Sequence, residues 1–361
     1  MQIMRRRQRR GSAATEAGRR ADAKSEYWGI RNVLPATRWD YLKVEDRGAF
    51  LPPENFSIVE NYEETLAFIM DVRYLFHERQ KHLCDDGIRR KIHADFSGIK
   101  TIDPASGLVL AAEIDRWSKG TGRRPRALDH LWHKNVRDYF VDAGLFDLLK
   151  IDPHEINELA DGEPLRQSLK MITGTLADGA SARQLRIDLE NLCGRGIGPR
   201  TTVYDALSEA LANVSHAYPR WRASYPGYRA RRWWASGSWT PSSKTVSVQL
   251  YDQGVGIPRT LPRREYWGRI MPLVRRLDPE RTDAGLIEAA LEYGRTSTRS
   301  RGRGMGLKQM TEWINTQGHG FLRITSGSGC VTYRANRKVE RRNLSVPFCG
   351  TLIEWEFRFD D

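Results

Sequence analysis

Apolar residues in the first half of the chain recur at two different spacings. Across residues 64–80, Leu66, Ile69, Met70, Val72, Leu75 and Phe76 follow helical intervals and predict a helix. Residues 91–96 predict a strand, and Ser97-Gly98 a turn. Leu108, Leu110, Ala111 and Ile114 predict a helix over 107–117, and a further helix is expected over 135–149. Strand, tight turn and helices in that order predict a small α/β layer across residues 25–150. Residues 151–200 are polar and helix-prone, broken by Gly162, Gly174 and Gly179. They read as a helical connector that ends at Gly194-Arg195-Gly196-Ile197-Gly198-Pro199.

The second half has clearer faces. In the helix expected over 201–218, Val203, Leu207, Ala210, Leu211 and Val214 form one apolar stripe. Asp205, Glu209, Asn213 and His216 share another side, because steps of three and four return to the same face. Pro219 stops the helix. Residues 229–239 and 245–252 predict a hairpin turned at Pro241-Ser242-Ser243. In its second strand Val246, Val248 and Leu250 alternate with Ser247, Gln249 and Tyr251, so one buried side is expected. The tryptophans of the first strand suit cross-strand packing ahead of stacking on single-stranded bases. Residues 258–301 form a long arginine-rich connection with its own helix over 283–293, which reads as a lid. A helix over 307–316 and strands over 321–325, 330–334 and 350–357 close the chain.

Composition narrows the class. At 361 residues, 40% hydrophobic and 29% charged, the chain has room for two domains with separate cores. No apolar run approaches the roughly 18 residues of a membrane span. The basic start, Arg5-Arg6-Arg7-Gln8-Arg9-Arg10, is not followed by the apolar core of a signal peptide. Cys84, Cys193, Cys330 and Cys349 are scattered, which suits reduced thiols in a cytoplasmic protein rather than a zinc site or disulfide frame. A formal charge of +13 favours anionic partners. Residues 1–24 read as a solvated basic tail, with a nucleic-acid arm as the alternative.

Three stretches carry chemistry. Asp252-Gln253-Gly254-Val255-Gly256-Ile257 puts a carboxylate beside two spaced glycines, where backbone can approach a flat ligand. Arg301-Gly302-Arg303-Gly304-Met305-Gly306-Leu307 frees backbone N–H groups at a helix start, which suits a polyphosphate. Glu209 and Asn213 precede both. The glycine run lacks the spacing of a dinucleotide fingerprint, and no GxxxxGK[ST] loop occurs. With Gly350-Thr351 near the end, these pieces resemble, in order and approximate spacing, the GHKL ATPase superfamily of gyrase, histidine kinases, the mismatch-repair protein MutL and anti-sigma factor kinases. The resemblance covers about residues 195–361. It implies ATP and Mg²⁺ as ligands, bound on a Bergerat-type α/β sandwich with helices on one face of a mixed sheet, spanning residues 201–361. It further implies that Asp252 accepts from the adenine amine, supported by Thr351, with Gly254, Gly256 and Ile257 around it. Asn213 would ligate Mg²⁺ and Glu209 would act as general base. Arg301, Gly302, Arg303, Gly304, Met305, Gly306 and Leu307 would meet the phosphates, with Arg299 as a further lid cation.

A second resemblance covers roughly residues 60–150. Asp95-Phe96-Ser97-Gly98, then Ile102-Asp103-Pro104-Ala105-Ser106-Gly107-Leu108, then Ala143-Gly144-Leu145 look like the STAS fold of anti-sigma factor antagonists. In that family a serine directly after the aspartate accepts phosphate. Here Pro104 and Ala105 intervene and Ser106 comes late, so a scaffold or partner-docking role is expected, beside an ordinary α/β core. His216-Ala217-Tyr218 sits one residue earlier than in anti-sigma factor kinases, which leaves the role of His216 open. No phosphoacceptor-histidine helix precedes the ATP domain. Three functions follow from the resemblance: an ATP-hydrolysing regulator acting on a protein partner or as a homodimer, a serine kinase of the anti-sigma type, or an ATP-gated nucleic-acid binder.

Overall fold

A computed structural model describes residues 52–74, 93–94, 96–121, 126–154, 166–175, 179–217, 231–296 and 306–359. The basic tail, Cys84, Asp95, Arg299 and residues 301–305 lie outside the described residues.

The N-terminal layer runs β1 (Asn55–Phe56), α1 (Tyr62–Tyr74), β2 (His93–Ala94), β3 (Thr101–Ile102), α2 (Pro104–Thr121), β4 (Arg126–Ala127), α3 (Lys134–Asp142) and α4 (Leu145–Leu149). Its strands pair in parallel as β1 with β3 and β2 with β4. The single helix expected over 135–149 is two, because Gly144 at φ 71 turns the chain into the left-handed region. Helix α2 starts on a cap: Ser106 N–H donates to Asp103 Oδ1 at 2.8 Å, and Ser106 Oγ donates to Asp103 Oδ2 at 2.7 Å. Ser106 also accepts from Ile58 N–H and is fully buried, so its hydroxyl is committed to the core.

The rest of the chain builds one larger sheet. It comprises β5 (Gln167–Ser168), β6 (Ile172–Gly174), α5 (Gly179–Cys193), α6 (Arg200–Ala217), β7 (Trp233–Thr240), β8 (Thr245–Asp252), α7 (Ile257–Thr260), α8 (Trp267–Leu277), α9 (Asp283–Thr296), α10 (Gly306–Gln317), β9 (Phe321–Arg334) and β10 (Val339–Arg358). Strand order is β5-β7-β8-β10-β9, with β6 also on β7.

Other expectations change as well. The sheet is antiparallel at every described pairing, not mixed; short connections between β7 and β8 and between β9 and β10 make hairpins, which impose that direction. The presumed helical connector contributes β5 and β6 to the sheet edge. The two strands expected before residue 335 are one, β9: Ser326, Gly327 and Gly329 between them pair with β10, and Asp283 accepts Ser328 N–H at 2.7 Å. Helix α8 was hidden by its internal Pro272, which argues against a helix; Ile270 and Val274 hold it in one apolar cluster with Leu286, Ala289 and Ala290 of α9.

The helices of residues 201–361 pack on one face of the sheet, and the other face is covered by the N-terminal layer. On the front, Val246, Val248, Leu250, Ile353, Trp355 and Phe357 pack in one cluster with Leu207, Leu211, Ile287, Trp313 and Ile314. On the back, Trp234, Tyr251, Leu352 and Phe348 join Leu66, Met70, Leu108 and Ala112 of the N-terminal layer. Gln249 and Tyr251, expected on an open side, are each 1% exposed. Trp233 and Trp234 are buried as well, which withdraws them from base stacking and leaves the packing role. Among the described residues no helix is long and apolar enough to cross a membrane.

Candidate functional site

At the end of the front face a cavity of about 690 Å³ opens between α6, the β8–α7 turn, α8, α9 and the start of α10. Glu209, Asn213, Asp252, Gly256, Ile257, Leu307 and Thr351 all line it. Gly254 does not: a β-carbon there would collide with the side chain and carbonyl of Ala217, so this glycine permits close approach of α6 rather than of a ligand. Val255 N–H donates to Ala217 O at 2.9 Å, tying the turn to the end of α6. Gly306 opens α10. Arg301, Gly302, Arg303, Gly304 and Met305 lie outside the described residues, as does the side chain of His216.

Helix α6 presents its two faces as its spacing requires. Val203, Leu207, Ala210, Leu211 and Val214 are buried in the front core. Glu209 and Asn213, one turn apart, look into the cavity. The Asn213 amide nitrogen is buried without a hydrogen-bond partner among the described residues, a costly arrangement. Burial raises the Glu209 carboxyl above its ordinary value, and the nearby Arg264 charge opposes that rise.

Asp252 ends β8, paired with Thr351 on one side and Trp233 on the other. It is 3% exposed, and its Oδ1 accepts Gly254 N–H at 2.7 Å. Burial pushes this carboxyl up to about 7, against the lowering effect of that single N–H. Ser326, which pattern reading did not single out, fastens the neighbourhood. Its hydroxyl donates to Gly350 O at 2.9 Å, accepts Ile257 N–H at 3.0 Å and lies 3.2 Å from Thr351 Oγ1. Its one proton being on Gly350 O, Thr351 is the donor to it.

The opposite wall was also missed. Arg263, Arg264, Glu265, Tyr266 and Tyr293 line it, and the two tyrosine rings stack at 5.6 Å with planes 11° apart. The available signal was aromatic residues recurring within an arginine-rich stretch. No cluster of three or more His, Cys, Asp or Glu side chains suited to a metal occurs among the described residues.

No protein-family model matches this chain, and no curated protein matches it. The fold and cavity define a mixed helix-and-sheet protein, with a six-stranded antiparallel sheet and a polar cavity at one end of it.

Proposed function

We propose that residues 201–361 form a GHKL-type ATP-binding domain of Bergerat kind, backed by a STAS-like layer, and that the cavity binds an adenine nucleotide with Mg²⁺ and hydrolyses it. The observation that carries this reading is the meeting of Glu209, Asn213, Asp252, Leu307 and Thr351, drawn from four separated segments, around one cavity. Its volume falls within the roughly 300–1,000 Å³ of small-molecule sites.

The donor set fits such a ligand. Asp252 has one oxygen on Gly254 N–H and presents its carboxylate to the cavity, where an exocyclic amine supplies the missing donor. Thr351 stands beside it on the next strand. Asn213 offers an amide oxygen to Mg²⁺, a hard ion that takes its remaining oxygens from phosphate and water and neutralises phosphate charge when bound. Glu209, its carboxyl raised by burial, is suited to take a proton from water. Arg263 and Arg264 stand on the wall where phosphate charge needs cations.

Calorimetry of the full chain with ADP and a non-hydrolysable ATP analogue, with and without Mg²⁺, tests the binding. Micromolar affinity for both is expected; no heat with either overturns the reading. Phosphate release without a protein substrate supports hydrolysis, whereas label transfer to a serine-bearing protein replaces it with a kinase.

A further inference from the structure

The two residues that follow one another at the end of β8 point to opposite faces. Asp252 enters the cavity, and Gln253, next in the pleat, turns to the back of the sheet. There its Nε2 donates to Glu113 Oε1 of α2 at 2.8 Å, in a contact where both residues are 1% exposed. Glu113 is itself held by Arg116, whose guanidinium lies 3.2 Å from Oε2. Two residues along the same helix, Asp115 accepts the indole N–H of Trp234 at 3.0 Å. Trp234 sits on β7 beside Trp233, the cross-strand partner of Asp252. Tyr251, also on the back, donates to Cys349 O at 2.9 Å, immediately before Gly350-Thr351. Helix α2 thus grips both residues adjacent to the Asp252 rung, while Ala217 holds the same turn from the front.

We infer that α2 regulates the cavity: the Gln253–Glu113 hydrogen bond sets the position of the Asp252 turn, and cavity occupancy and α2 docking are coupled. This rests on the nucleotide reading and names the element through which the N-terminal layer acts on it. The contact is buried and polar, so it is strong when seated and costly when displaced. Helix and turn cannot drift apart gradually without losing it. By linkage, whatever loosens α2 weakens nucleotide binding, and bound nucleotide tightens α2 by the same factor. Gln253 and Glu113 are positioning residues; neither lines the cavity.

The test uses the full chain, ADP as probe, and hydrogen exchange of the α2 amides beside calorimetry. In the wild type, saturating ADP is expected to slow exchange across α2 as well as at α6. Gln253→Met keeps the length of the side chain and removes its donor. It should weaken ADP about tenfold and abolish the ADP-induced protection of α2, leaving that of α6 at saturation. Glu113→Gln retains an acceptor and should stay within about threefold of the wild type with coupling intact. ADP affinity and α2 protection unchanged in Gln253→Met would overturn the inference while leaving the nucleotide reading standing. Equal losses in both variants, tracking a fall in Tm, would reduce the contact to a structural one. Absence of ADP binding by the wild type sinks both claims. If Gln253→Met fails to fold, the wild-type exchange decides alone: no added α2 protection at saturating ADP ends the proposal.

Discussion

The front and back of the large sheet are both buried, yet they treat carboxylates in opposite ways. On the back, Glu113 holds Gln253 and Arg116, and Asp115 holds Trp234 and Lys119. On the front, Asp252 has one N–H, and Glu209 has the nearby Arg264 charge but no hydrogen bond among the described residues. A buried carboxylate with partners belongs to the fold; one left short of partners beside open space is positioned for something that arrives later. The comparison predicts that front variants lose function and keep stability, and that back variants lose stability and disturb the ligand only where, as at Gln253, the contact holds the Asp252 turn.

The largest effect should come from Glu209→Ala. Removing a general base lowers turnover by about 10²–10⁴-fold, with nucleotide affinity within about threefold. Stability should hold or rise slightly, since alanine is the better helix former and no described hydrogen bond is lost. Steady-state phosphate release and thermal melts of the same sample check both halves. Undiminished turnover would remove Glu209 from the chemistry. In the wild type the rate should climb with pH as this raised carboxyl loses its proton.

Asp252→Asn comes next. Gly254 N–H claims the amide oxygen, which leaves the new NH₂ facing the purine amine, donor against donor. A loss of about 10²-fold or more in ADP affinity is expected from such a mismatch. The fold should gain at the same time. A carboxyl raised from 3.8 to about 7 on folding stabilises the protein fully below pH 4 and progressively less up to pH 7. At about 1.4 kcal/mol per unit, the asparagine removes a penalty on the order of a few kcal/mol at neutral pH. Its melting temperature should therefore exceed the wild type's at pH 8, with the gap closing near pH 4. For the same reason wild-type ADP affinity should rise from pH 6 to pH 8. A pH-independent Kd would separate Asp252 from the amine.

The difference between the faces also explains what could be read from the chain. Helix α6 was legible because Val203, Leu207 and Leu211 repeat at its own period, and the Asp252 turn because glycines bracket an acid. The back face was not. Glu113, Asp115 and Arg116 are polar residues outside the apolar positions that predict their helix, Gln249 alternates with the buried side of its strand, and Gln253 stands in the turn beyond it. Only their meeting makes them interior. The mixed sheet expected from family resemblance failed for a related reason, since strand direction follows from connections rather than from strand composition. The tyrosine wall of the cavity comes from Tyr266, which caps α8, and Tyr293 of α9, and Pro272 concealed the first of these helices.

Trp234→Phe probes the back directly. It keeps most of the buried ring and deletes the N–H that Asp115 accepts. Leaving a buried carboxylate short of a donor, with some cavity added, should cost about 2–3 kcal/mol in a denaturant titration. Turnover at saturating nucleotide should be unchanged, because no atom of Trp234 reaches the cavity. A neutral effect on stability would mean that the back network is ornamental and the contrast between faces empty.

Glu354 supplies the smallest and sharpest test, because it breaks the simple form of the comparison. It lies on the back, 7% exposed, with burial raising its carboxyl to about 7 and its Oε2 unpartnered among the described residues. By shifted acidity alone it matches Asp252. Its surroundings differ: a cavity of about 300 Å³ lined by Arg323, Arg341 and Arg342, with Arg323 3.6 Å from Oε1. Asp252 faces a cavity more than twice as large, beside Asn213 and Glu209. Glu354→Gln removes the burial penalty but also the attraction to Arg323, so a net gain of only about 1 kcal/mol at pH 8 is expected, fading toward pH 5. ADP affinity should not move. If it falls as in Asp252→Asn, then the buried acid on either face matters to the ligand, and it is acidity rather than the company of α6 that marks the site.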